Sequence, residues 1–115
     1  MGGMSLRVVL VDDDTRFRAM ACRALIADGV DVVAQAENGE DAVEAVARWR
    51  PDVVLLDIRL PAIDGLEVAR RLGVEGGPVV ILISTLDVAY GRRVAAGLAA
   101  GFLPKDELSM AAILE

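Results

Sequence analysis

The chain has 115 residues, enough for one domain with a single core. Hydrophobic residues make up 55% of it and the net charge is −6, which excludes a disordered chain and argues against a nucleic-acid surface in this segment. There is no histidine and Cys22 is the only cysteine. That removes most catalytic triads, most zinc sites and any internal disulfide, and it fits a reducing, cytoplasmic setting.

No apolar run approaches the ~20 residues needed to span a bilayer, so no membrane contact is expected. Residues 1–5 lack the charged and apolar regions of a signal peptide. Leu6 stands where a myristoylation pattern requires Ser or Thr. Residues 1–5 read as a disordered start or an expression remnant, and 6–115 as one domain.

Apolar runs alternate with helical patterns at a spacing of roughly 20 to 25 residues, the signature of βα units and a parallel sheet. The first strand covers 6–11 and the first helix 15–28, with Phe17, Met20, Ala21, Ala24 and Leu25 as its core stripe. Cys22 falls outside that stripe. Gly29 ends the helix and the second strand covers 30–36. Asn38-Gly39 reads as a turn, followed by a helix over 40–49 with Val43, Val46 and Arg50 on one stripe. Pro51 stops it. The third strand, 52–56, is continuously apolar from Val53 to Leu56, as befits a strand buried on both faces.

Asp64-Gly65 opens a third helix over 66–72, with no chemical role assigned to the acid. Gly76-Gly77-Pro78 is a loop and the fourth strand covers 79–83. A fourth helix is expected over 88–96 despite Gly91, which costs about 1 kcal/mol against Ala. A short fifth strand covers 101–103 and a fifth helix starts near Asp106. About ten residues remain for that helix, so truncation is the expected explanation. Trp49 and Tyr90 read as surface cover. Right-handed crossovers leave few arrangements of five strands, and 2-1-3-4-5 is a common one. The fold class is therefore α/β, a doubly wound five-stranded parallel sheet of flavodoxin-like (βα)5 type.

Chemistry gathers at the carboxyl ends of the strands, where open α/β sheets place their sites. Asp57 ends the third apolar run, Asp12-Asp13-Asp14 follow the first, Ser84-Thr85 follow the fourth, and Pro104-Lys105 follow Phe102-Leu103. Lys105 is the sole lysine beside eleven arginines. Acids, a hydroxyl and one ammonium describe a site for a cation and a phosphoryl group. Converging carboxylates repel, so one must protonate or a cation must neutralise them. Asp14 reads as a cap for the first helix rather than a ligand.

Val11-Asp12-Asp13, Leu55 to Pro61, Asp64-Gly65, Ser84 and Lys105 together resemble the receiver domain of bacterial two-component response regulators. Residues 101–106 look most like the branch that carries a C-terminal helix-turn-helix DNA-binding domain. The resemblance implies that Asp57 is the phosphoacceptor, taking its phosphoryl group from a sensor histidine kinase. It implies Mg2+ held by Asp13, Asp57 and the Arg59 main-chain carbonyl, with Asp12 acting through a water. It implies that Lys105 pairs with Asp57 and then with a phosphoryl oxygen. Ser84 and Phe102 are the implied switch residues, acting on a surface of the fourth helix, fifth strand and fifth helix. Homodimerisation on activation, and DNA contact only through a domain outside this chain, complete the implied picture. Enzymatic activity would be limited to self-phosphotransfer and self-dephosphorylation.

Several positions depart from the usual pattern. The segment between Ser84 and Phe102 is about one residue short, Thr85 stands where a smaller residue is frequent, and Pro104 precedes Lys105 where many relatives place a proline after it. The alternative function is a docking module of the same fold whose state ignores phosphorylation. A Mg2+-dependent phosphatase is disfavoured, because Arg16 occupies the Thr or Val position of that motif.

Overall fold

A computed structural model describes residues 5–59, 65–73, 76–85, 92–93, 95–96 and 101–114. Leu60-Pro61, Asp64, Tyr90, the first four residues and most of the expected fourth helix lie outside the described residues.

Five strands form one parallel sheet: β1 (Arg7–Val11), β2 (Asp31–Ala36), β3 (Val53–Asp57), β4 (Val79–Ser84) and β5 (Gly101–Pro104), in the order 2-1-3-4-5. The helices are α1 (Thr15–Ala27), α2 (Gly39–Trp49), α3 (Gly65–Leu72) and a C-terminal helix (Met110–Leu114). Residues 92–93 and 95–96 are also helical, within the expected 88–96 span.

Strand alternation divides the core into two layers. Val9, Val11, Val54, Leu56, Val80 and Leu82 face the layer that contains Ala42 of α2 and Val68 and Leu72 of α3. Val8, Leu10, Val53, Leu55, Ile81 and Ile83 face the layer of Ala21 and Leu25 from α1 and Ile113 from the C-terminal helix. All five residues of β3 are buried, as a central strand covered on both faces requires.

The helix stripes differ from the sequence expectation by a rotation. On α1 the buried residues are Ala21 and Leu25, with Phe17 and Cys22 packed beside them, while Met20 is 67% exposed and Ala24 is also exposed. Apolar spacing of three and four left two adjacent faces open, and the packing against β1 and β2 chose the one that includes Cys22. On α2 the buried side is Gly39 and Ala42, with Ala45 and Val46 packed against it, so Val43 is exposed.

Local chemistry sets several ends. Asn38-Gly39 is not a free turn: Asn38 Oδ1 accepts the Asp41 N–H at 2.8 Å and caps α2. Gly29, at φ 95°, permits the left-handed step from α1 into β2. The expected helix at Asp106 is a 3-10 turn, Lys105–Glu107, and the α-helix begins only at Met110. Ser109 supplies that later start, since its Oγ accepts the Ala112 N–H at 3.0 Å.

Candidate functional site

The register brings the acids together before any side chain is placed. Val11 pairs with Leu56 across β1 and β3, so the next residues, Asp12 and Asp57, leave the sheet side by side. Asp12 is fully buried and Asp57 nearly so, while Asp13 is exposed. One carboxylate oxygen from each of the three lies within 4.8 Å of the others.

Each acid is held by its own loop. Asp12 Oδ1 accepts the Asp14 N–H at 2.9 Å, and Asp57 Oδ1 accepts the Arg59 N–H at 3.1 Å. The Arg18 guanidinium donates to the Asp12 carbonyl at 2.6 Å, a contact that the sequence did not signal. Asp14 caps α1 as expected, accepting the N–H groups of Arg16 and Phe17 at 3.0 and 3.1 Å.

Lys105 arrives from the end of β5. Its Nζ lies 2.6 Å from Asp12 Oδ2 and 3.5 Å from Asp57 Oδ2. The expected pairing with Asp57 is present, and Asp12 is a second and nearer partner. The Asp12 contact is a close ion pair to an oxygen that is itself fully buried. The other side of the ammonium faces the Phe17 ring, 4.5 Å from its centroid. Phe17 and Lys105 stand 88 positions apart, and no local pattern announces their meeting.

Burial pushes the Asp57 carboxyl up to about 6, and the neighbouring Asp12 and Asp13 charges push the same way. The Arg59 N–H and Lys105 pull against that rise. Burial also works against the Lys105 charge, but the Asp12 and Asp57 carboxylates outweigh it and raise its pKa.

Ser84 ends β4 and is buried. Phe102 pairs with Leu82, two residues before Ser84, so both stand on one face of adjacent strands. An open cavity of about 510 Å3 beside Lys105 is lined by Phe17, Ser84, Thr85 and Pro104 among others.

The response regulator receiver domain family matches residues 8–114. This chain belongs to that family. It is 42% identical to the response regulator MprA of Mycobacterium ulcerans over 105 residues, covering 89% of this chain and 44% of MprA. The chain thus spans less than half the length of that relative. Among solved structures, the receiver domain of NarL from Mycobacterium tuberculosis matches at TM-score 0.80 and 38% identity, covering 92% of this chain and 88% of that one. The BeF3-activated N-terminal receiver domain of RstA from Klebsiella pneumoniae matches at TM-score 0.75 and 29% identity, covering 94% and 92%. Among the described residues, no helix is long and apolar enough to cross a membrane.

Proposed function

We propose that this receiver domain is a phosphorylation-dependent switch that accepts a phosphoryl group on Asp57. The observation that carries the reading is the placement of Asp57: buried at the end of β3, with Asp12, Asp13 and Lys105 around it. A carboxylate oxygen of Asp57 forms the O–P bond as the P–N bond of a kinase phosphohistidine breaks, and the departing imidazole keeps the electron pair and takes a proton. Lys105, next to Asp57 Oδ2, moves onto a phosphoryl oxygen as a point charge. Such transfer needs positioning and charge neutralisation more than covalent chemistry from the protein.

The all-oxygen cluster of Asp12, Asp13 and Asp57, two of its acids buried, fits a hard cation such as Mg2+. Asp13, Asp57 and the Arg59 main-chain carbonyl would hold the ion, with Asp12 acting through a water. When bound, the ion supplies positive charge to the acids and to the phosphoryl oxygens.

The added charge of about −1.5 to −2 then draws the Ser84 hydroxyl toward the phosphoryl group. Phe102, on the same face one strand away, follows that movement and changes the surface of β5 and its flanking helices. The output is homodimerisation on activation. Any transcriptional effect runs through a DNA-binding domain outside this chain, and the donor is a sensor histidine kinase. Asp57 self-phosphorylates from small donors and loses the group by hydrolysis, both in the cytoplasm.

Reduction of the acyl phosphate with borohydride, after incubation with acetyl phosphate and Mg2+, tests the site. Homoserine at position 57 is the expected product. Homoserine at position 12 or 13 instead would move the acceptor, and none at all would favour the docking module.

A further inference from the structure

We propose that Phe17 is the positioning residue for Lys105, its ring holding the ammonium in line for the phosphoryl group. The inference rests on the phosphoacceptor reading above and adds a residue to it. Lys105 is a long, flexible side chain with only the two acids as ion-pair partners among the described residues. A free ammonium of this kind loses considerable rotamer entropy when it is fixed. The Phe17 ring stands 4.5 Å from Nζ, within cation–π range, and closes the side that the acids leave open. Only 14% of the Lys105 side chain remains exposed, so the contact is partly desolvated, where such pairs are strongest.

Phe17 is itself fixed from the acid cluster. Asp12 Oδ1 accepts the Asp14 N–H, Asp14 Oδ1 accepts the Phe17 N–H, the Phe17 ring covers Lys105, and Lys105 returns to Asp12 Oδ2. This closed circuit links the start of α1 to the end of β5. It gives Asp14 a purpose beyond capping: it sets the turn of α1 that aims the ring. The same ring packs against the apolar layer under α1, which prevents it from swinging away with the lysine.

A purely structural Phe17 would need only its volume. A positioning Phe17 needs the negative face of its ring. The test compares phosphorylation rates with acetyl phosphate for wild type, Phe17→Leu, Phe17→Tyr and a chain carrying pentafluorophenylalanine at position 17. The last keeps shape but reverses the ring's charge distribution, so it remains informative if Phe17→Leu fails to fold. Thermal unfolding is recorded for each. Roughly threefold to thirtyfold slower phosphorylation is expected for the leucine and fluorinated chains, with near-native rates for Phe17→Tyr. Equal rates in wild type and the fluorinated chain would overturn the proposal, as would an equal loss in Phe17→Tyr. Wild type that takes no phosphoryl group, like an Asp57→Asn control, would instead remove the phosphoacceptor reading and this inference with it.

Discussion

Lys105 stands nearer to Asp12 than to Asp57, at 2.6 against 3.5 Å, so the two buried acids share one ammonium. Removing that cation leaves both carboxylates without compensation. Lys105→Met is expected to destabilise the domain by about 2–4 kcal/mol at pH 7. The loss shrinks at pH 5, where Asp57 protonates, and adding Asp12→Asn restores part of it. Urea unfolding at both pH values measures this. The native pair also has an alkaline limit. Because the folded pKa of Lys105 is raised above 10.5, its contribution is present below that pH and fades as the pH rises through the folded value.

Asp57 produces a second pH dependence of opposite origin. Its folded pKa of about 6 exceeds the ordinary 3.8, so folding takes up a proton between these values. The stability from this group is complete below about pH 4 and is lost as the pH rises through 6. The loss is up to about 3 kcal/mol. Asp57→Asn, which stays neutral, should remove that slope and make the domain more stable than wild type above pH 7. Unfolding curves from pH 4 to 8 on both proteins decide it.

Mg2+ should offset the same repulsion. Binding to the folded chain alone stabilises it by about 2.7 kcal/mol at a concentration one hundred times Kd. The thermal midpoint should therefore climb with added Mg2+ in wild type. The climb should disappear in the double variant Asp13→Asn with Asp57→Asn. An identical climb in both would place the ion elsewhere.

Asp14 carries the start of α1 through two accepted N–H groups. Asp14→Ala should cost about 1 kcal/mol of stability, and Asp14→Asn only a few tenths. Guanidinium unfolding with unchanged m-values measures the difference.

The sheet was legible because β3 and β4 are nearly continuous apolar runs, and because each run ends in a polar residue that marks the site edge. Strand ends alone pointed to Asp12, Asp57 and Ser84, with Lys105 just past the fifth run, and the structure brings the two acids and the lysine together. Helix rotation was less legible. Met20 and Ala24 fit the spacing as well as Cys22 does, and only packing against the sheet decided among them. The late start of the C-terminal helix carries a local signal in Ser109, whose hydroxyl caps it. The closer approach of Lys105 to Asp12 had none. Whether the ammonium sits on Asp12 or Asp57 depends on differences of about one ångström in a crowded pocket, and the Phe17 ring that covers it comes from the far end of the chain.

The central claim is that Asp57 accepts the phosphoryl group. Intact-protein mass after incubation with acetyl phosphate, with and without Mg2+, tests it most directly in wild type and Asp57→Asn. One added phosphoryl group in wild type, dependent on Mg2+ and lost in Asp57→Asn, is the predicted result. An equal gain in both proteins, or a gain in neither, would contradict it.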